Sequence, residues 1–352
     1  MKLISEFVKH FRSEILVESV FDPKAFLTRD KTYFAVVDKS VDLFFGRNLK
    51  NWVKSAMVLD NVGESLKTQD TVDQITDFLE DVGADRLSTL IAVGGGVLLD
   101  IAGEAAAKHM RGIDWITIPT TLLSMVDASL GGKTAVNSRR AKNIKGSFHL
   151  PVYVVVTPAA SGTWNQTHRL EGLAEMYKIL RIFDISAARQ LVQNPDDFRF
   201  VERSIELKDA VVRADPWEKN IRAALNCGHT FGHAFEHSLG LRHGLAVGAL
   251  GIPCENRALE NMGLMSAATR ERIDEDLKHL GFTIPAKLPP FRLLMEHIKF
   301  DKKNRNGQIR LFATNGLKDW DISCVDPTKP VSVDCLQKAY NTFCEANNVS
   351  IE

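Results

Sequence analysis

At 352 residues, with 45% apolar and 25% charged side chains, the chain is long enough for about two globular domains and too apolar to be disordered. Its 44 Lys and Arg balance 44 Asp and Glu, a zero net charge that argues against bulk electrostatic binding of nucleic acid while allowing a local basic pocket. The five cysteines (Cys227, Cys254, Cys324, Cys335, Cys344) include no CxxC pair and read as reduced thiols of a cytoplasmic protein, and no apolar run approaches a membrane span.

The charged opening MKLISEFVKHFRSEILVESVF does not read as a secretory leader. From there the chain alternates apolar runs with amphipathic stretches. YFAVVD (33–38), AMVLD (56–60), TLIAVGGG (89–96), WITIP (115–119) and VYVVVT (152–157) have the continuous apolar character of buried strands. Between them, 70–83 shows helical spacing and closes on Gly83, and 97–110 also reads as helix. Strands alternating with helices predict an α/β domain with a doubly wound, mostly parallel, Rossmann-like sheet. Beyond about residue 160, helix is favoured over 168–182, 201–214, 220–240, 244–261 and 266–280, and 283–291 and 326–334 are proline-rich connections. The expected division is an α/β domain over 1–160 and a mostly α-helical domain over 161–352.

The strand TLIAV runs into Gly94-Gly95-Gly96, and a helix follows with Asp100 in its first turn. Glycines there let backbone approach a pyrophosphate, and the helix start offers N–H groups and a positive dipole end. This is not the GxGxxG fingerprint, so only the physics of that motif transfers. Asp38 at one strand end, Glu64 and Lys67 after the next, and Thr120-Thr121 after WITIP add groups that suit ribose and phosphate. A plain tight turn and surface carboxylates are the alternative reading of each feature taken singly.

In LNCGHTFGHAFEH, His229 and His233 lie one helical turn apart, with His237 a further turn on; Asn226 precedes them and His243 follows after a break. Upstream, Glu175 and Lys178 sit three apart on one helix. A carboxylate plus imidazoles suits a catalytic zinc site, but spacing does not say which histidines bind. Arg111, Lys133, Lys142, Lys178, Lys208, Arg222, Lys302 and Lys303 form a set of cations near turns or these helices, and 126–143 reads as a Gly-, Ser- and Asn-rich anion-binding loop. In a net-neutral chain, this implies a small, multiply anionic substrate.

Taken together, GGGVLLDIAG, HMRGIDWITIPTTLLSMVDASLGGKTAVN, AKNIKGSFHLP, GLAEMYK, NIRAALNCGHTFGHAFEH, RHG and DKKNRNGQIRL resemble the 3-dehydroquinate synthases of the sugar-phosphate cyclase family, from about residue 33 to 315. The resemblance implies a homodimer with an NAD-binding first domain and a helical, metal-binding second domain. It implies conversion of 3-deoxy-D-arabino-heptulosonate 7-phosphate to 3-dehydroquinate and phosphate, with catalytic NAD and Zn2+ or Co2+. It assigns Glu175, His229 and His243 to the metal. It assigns Asp38, Glu64, Lys67, Gly95, Gly96, Asp100, Thr120, Thr121, Asp127 and Lys142 to NAD. The substrate falls to Arg111, Lys133, Asn143, Lys178, Lys208, Arg222, Asn226, His233 and Lys302 or Lys303.

Three positions depart from the family pattern. The usual His-Gly-Glu at the third metal ligand is His243-Gly244-Leu245, the usual Arg-Glu is His168-Arg169, and Gly-Lys-Asn is Ala141-Lys142-Asn143. Loss of the first carboxylate would weaken support around the metal. Competing readings are the cyclases that make aminodehydroquinate, 2-deoxy-scyllo-inosose or 2-epi-5-epi-valiolone, a metal-dependent polyol dehydrogenase, and a nucleotide-binding protein without activity. The inosose- and valiolone-forming cyclases act on substrates without a carboxylate, which Lys208 and Arg222 would be there to bind.

Overall fold

In the computed structural model, which describes residues 13–138, 142–163 (backbone only for 161–163), 165–299, 304, 307–312 and 328–352, the chain divides into two units, Met1–Asn165 and Gln166–Glu352. The first holds β1 (Glu14–Val17), β2 (Tyr33–Asp38), β3 (Ser55–Leu59), β4 (Thr89–Gly94), β5 (Asp114–Pro119), β6 (Lys133–Val136), β7 (Lys145–Phe148) and β8 (Tyr153–Val156). Six of these form a sheet in the order β1-β8-β5-β4-β2-β3, every pair parallel, while β6 and β7 form an antiparallel pair. The strand order reverses between β2 and β4, and Asp38 and Gly94 lie at their carboxyl ends, the switch point at which sheets of this kind bind ligands.

Alternation along the central strands explains their unbroken apolar character. Phe34, Val36, Leu90 and Ala92 face one way, onto Val72, Ile75 and Leu79 of the Gln69–Asp81 helix and Leu98, Ile101 and Ala105 of the Gly96–Lys108 helix. Their neighbours Ala35, Val37, Ile91 and Val93 face the opposite way, onto Phe26, Phe45 and Leu49. A parallel sheet covered on both faces has no polar side to show in sequence. The Gln69–Asp81 helix is capped by Thr68, whose hydroxyl accepts the Thr71 N–H at 3.3 Å, and is followed by Gly83 at φ +71°.

Gly103 is a tight point in this packing: a Cβ there would lie 2.5 Å from both Thr134 and the Trp115 ring. Trp115 is held in place, with its indole N–H donating to the His149 carbonyl at 3.2 Å. Gly103→Ala is therefore expected to destabilise the first unit by about 1–2 kcal/mol, because overpacking outweighs the roughly 1 kcal/mol alanine gains in helix propensity. A urea midpoint unchanged or raised would contradict it.

The second unit is mostly helical, with helices at Gln166–Phe183, Ile185–Gln193, Arg199–Ala214, His229–Leu239, His243–Ala246, Ile252–Asn261, Ala267–His279, Phe291–Ile298 and Val333–Ala346. Four features differ from expectation. The 220–240 stretch is broken: a 3-10 segment, Ile221–Asn226, ends before Gly228 at φ +81°, and only then does the His229–Leu239 helix begin. The 244–261 stretch is helical but widens to a π-helix over Val247–Gly251. The connection at 326–334 contains a strand, Thr328–Val331, antiparallel to Ile309–Phe312, where Pro330 is tolerated because among the described residues this sheet has two strands and so only edges. The 126–143 stretch is not one loop: Ser124–Ala128 is a π turn and Lys133 opens β6.

Among the described residues no helix is long and apolar enough to cross a membrane, and Cys227, Cys254, Cys335 and Cys344 are free thiols. Cys324 lies outside the described residues.

Candidate functional site

In the first unit, β4 ends at Gly94, and Gly95 stands as the N-cap of the Gly96–Lys108 helix with no side-chain cap. The first-turn N–H groups therefore point outward without a side chain to answer them. Side chains at the glycines would fill the space around this turn. A Cβ on Gly94 would lie 3.3 Å from Asp38 Cβ, one on Gly95 3.2 Å from Thr121, and one on Gly96 3.2 Å from Ala128. Asp38, Thr121 and the three glycines are thus neighbours, although their sequence positions span three strand ends. Thr120 donates its N–H to the Gly94 carbonyl at 3.0 Å, which joins the β4 and β5 ends. Asp38 Oδ1 accepts the Ser40 N–H at 2.9 Å.

A second group lies around Asp100. The Lys67 ammonium, buried, pairs with its carboxylate. Burial pushes the Asp100 carboxyl up; Lys67 opposes this, and the negative charges of Glu64 and Asp127 add to it. Glu64 accepts the Asn137 amide at 2.6 Å and lies 3.7 Å from the Lys142 ammonium. A cradle of bare backbone beside carboxylates and one buried cation fits a dinucleotide: pyrophosphate at the helix start, ribose hydroxyls at the carboxylates. Arg111 and Asn143 are exposed and both have positive φ (+67° and +54°), Arg111 between Met110 (+51°) and Gly112 (+113°). Lys133 is half-buried at the start of β6.

In the second unit, Glu175 is fully buried on the Gln166–Phe183 helix and its two oxygens do different things. Oε2 takes the Lys178 ammonium, which also donates to the Leu225 carbonyl. Oε1 has no hydrogen-bond donor and faces His229 Nε2 at 3.6 Å and His243 Nε2 at 3.7 Å. Each of those rings is oriented from behind: His229 Nδ1 lies 3.1 Å from the Cys227 carbonyl, and His243 Nδ1 3.1 Å from Glu236 Oε2. Nδ1–H donation to these oxygens leaves Nε2 of both rings as the coordinating atom. His229, His233 and His243 offer ring nitrogens within 4.8 Å of one another. An orphaned buried carboxylate oxygen opposite oriented imidazoles fits a divalent metal ion.

His237 is not part of the cluster; it is exposed and stacks on His297 with ring centroids 4.9 Å apart. Gly244 explains why glycine must follow His243. A Cβ there would meet the Glu171 carbonyl oxygen at 2.4 Å, so the bare backbone lets His243 approach Glu175. Glu171 in turn pairs with Arg242 at 2.7 Å. Leu245 leaves His243 with a carboxylate behind it all the same, because Glu236 supplies one. Glu236 was missed in sequence although it sits seven residues before His243, in the turn after His233. Glu236→Gln is expected to weaken metal affinity about 10- to 100-fold, measured by chelator competition. Unchanged affinity would remove Glu236 from that role.

The cations expected to hold an anionic substrate are buried here too. Lys208 is on the Arg199–Ala214 helix, and Arg222 and Asn226 are on the Ile221–Asn226 segment that Lys178 reaches through Leu225. Arg222 is only 2% exposed; its N–H donates to Asp215 at 3.1 Å and its guanidinium to the Pro216 carbonyl at 2.7 Å. Asn226 donates to Glu218 at 2.8 Å. Lys302 and Lys303 lie outside the described residues.

Two family models match the chain: 3-dehydroquinate synthase N-terminal over residues 57–170 and 3-dehydroquinate synthase C-terminal over residues 172–304. A 3-dehydroquinate synthase of Caldanaerobacter subterraneus is 39% identical over 316 residues, covering 84% of this chain and 88% of that one. Among solved structures, a 2-epi-5-epi-valiolone synthase of Streptomyces hygroscopicus with NAD+ and Zn2+ bound has a TM-score of 0.78 at 24% identity, covering 95% of this chain and 97% of that one. A 2-deoxy-scyllo-inosose synthase complexed with carbaglucose-6-phosphate, NAD+ and Co2+ has a TM-score of 0.79 at 22% identity, covering 93% and 96%. Both structures share the fold.

Proposed function

This chain belongs to the 3-dehydroquinate synthase family, and on that premise we propose how its two units perform the conversion of 3-deoxy-D-arabino-heptulosonate 7-phosphate to 3-dehydroquinate and phosphate. The observation that carries the reading is Glu175 Oε1, buried without a donor and facing Nε2 of both His229 and His243. Glu175, His229 and His243 hold the divalent metal, Zn2+ or Co2+. NAD lies on the Gly94–Gly96 turn, with Asp38, Glu64, Lys67, Asp100, Thr120, Thr121, Asp127 and Lys142 around it. When bound, NAD supplies a hydride acceptor that is restored within each turnover, and the metal a Lewis acid for the substrate's hydroxyls.

The chain's own residues bind and orient. Lys208 and Arg222 receive the substrate carboxylate, with Asn226 beside them. Arg111, Lys133, Asn143, His233 and Lys302 or Lys303 serve the phosphate and the protons that move as it leaves. Lys178 holds the Glu175 side chain in one orientation, which keeps Oε1 aimed at the histidines. Such fixed charges meet each change in substrate charge without reorganising. The homodimer and the cytoplasmic location belong to the same proposal and rest on the resemblance of the motifs.

The test is phosphate release from the heptulosonate phosphate with sub-stoichiometric NAD, before and after chelation. Release over many turnovers with no net rise in nicotinamide absorbance, abolished by the chelator, is the expected result. One NADH formed per product would instead mark a dehydrogenase.

A further inference from the structure

The distance between His229 and His243 is set by how two helical segments cross, because His229 stands in the first turn of one and His243 opens the other. The crossing is made by bare backbone. A Cβ on Gly251 would meet the Gly228 carbonyl oxygen at 2.1 Å, and one on Gly232 would meet Val247 at 2.8 Å. The π-helical stretch Val247–Gly251 lies at that contact. Just beyond it, on Ile252–Asn261, is Glu255, only 1% exposed.

Its carboxylate reaches back across the crossing. Oε2 accepts the Gly228 N–H at 2.8 Å, and Oε1 accepts the Thr230 N–H at 2.6 Å and the Phe231 N–H at 3.4 Å. These donors open the His229–Leu239 helix and have no partner within it, and a negative charge there meets the positive end of its dipole. Gly228 offers no side chain to cap them. The helical run from His243 to Asn261 is continuous, so a shift at Glu255 is carried to His243.

We infer that Glu255 is a positioning residue: its carboxylate ties the segment bearing His243 to the first turn of the helix bearing His229 and so fixes the separation of the two ligands. The inference rests on the metal reading above and deepens it, since ligand atoms must converge to within about half an ångström to hold an ion well.

The test uses Co2+ as the probe in the full-length protein and its Glu255→Gln variant. Visible d–d absorption reports ligand geometry, chelator competition reports affinity, and NADH binding reports the first unit. Glutamine preserves volume but turns an amide –NH2 toward backbone donors, so at least one of the three bonds is lost. The expected result is a fall in Co2+ affinity of about tenfold or more, in the range of other partners that orient metal ligands, with a changed absorption band. NADH affinity should be unchanged. A purely structural role would lower the melting temperature but leave the affinity and spectrum of the folded protein as they were. If the glutamine variant does not fold, Glu255→Asp, which keeps the charge on a shorter side chain, should show the same pattern at smaller amplitude. Equal Co2+ affinity and an unchanged band in either folded variant overturn the inference. A wild type that binds no Co2+ at the histidine cluster overturns the metal reading and this inference together.

Discussion

His243→Ala is expected to empty the metal site and to lower kcat/KM by about three orders of magnitude or more, since Lewis-acid stabilisation is worth several kcal/mol and each 1.36 kcal/mol is tenfold in rate. Alanine removes one of the two imidazoles that face Glu175 Oε1 and leaves Glu236, 7% exposed at its side chain, without the ring it orients. NADH binding should survive, because the Gly94–Gly96 turn belongs to the other unit. Elemental analysis alongside NADH fluorescence separates the two effects. Full turnover in a metal-free His243→Ala protein would remove the assignment.

The same histidine gives the wild type a pH dependence of known sign. Burial disfavours its charged form, but the Glu236 hydrogen bond and the negative charges of Glu175 and Glu236 outweigh burial and raise its pKa above that of free imidazole. A proton must leave before the nitrogen can coordinate, so metal affinity should weaken progressively as the pH drops below this raised value and recover above it. Metal affinity, measured by chelator competition, that does not change between neutral and mildly acidic pH would contradict this.

Arg222→Ala is the second large effect. Removing one partner of a buried charge-assisted pair costs about 2–5 kcal/mol, or roughly one and a half to three and a half decades in kcat/KM. The loss should fall on the heptulosonate phosphate and should be much smaller for a heptulose 7-phosphate lacking the carboxylate, if that sugar is turned over at all. Structural collapse is a lesser concern because the loop around Arg222 is held by Asp215, which accepts the N–H groups of Lys219, Asn220 and Arg222, and these remain in the variant. Equal damage to both substrates, or a wild type that prefers the carboxylate-free sugar, would remove the role proposed for Arg222.

How much of this was legible in sequence depends on how far apart the cooperating residues lie. β2 and β4 are evident because burial on both faces leaves uninterrupted apolar runs. His229 and His233 declare themselves by one-turn spacing, and Glu175 with Lys178 by three-residue spacing. Glu255 does not, because it acts on backbone N–H groups 24 to 27 residues earlier, and a backbone donor has no sequence signature. The π-helical turn at Val247–Gly251 is invisible for a related reason: its residues fit an α-helix equally well, and the widening belongs to the crossing with Gly228 and Gly232. The glycine-rich stretch at 126–143 misled in the other direction, since its composition suggests a loop while Lys133–Val136 pairs with Lys145–Phe148. β1 escaped notice because four residues, EILV, at a sheet edge are too few to show a period.

That edge strand bears on how the protein is made. β1 pairs in parallel with β8, Glu14 opposite Tyr153, so almost the whole first unit must be synthesised before this strand has its partner. Until Val156 has left the ribosome, β5 is the open border of the growing sheet and β1 is an unpaired apolar segment, each a template for another nascent chain. Joining them closes a loop nearly as long as the unit, so this pairing is expected to come late in its folding. Chains halted before β8 should therefore associate with one another, whereas chains released just after Val156 should complete the sheet and stay dispersed.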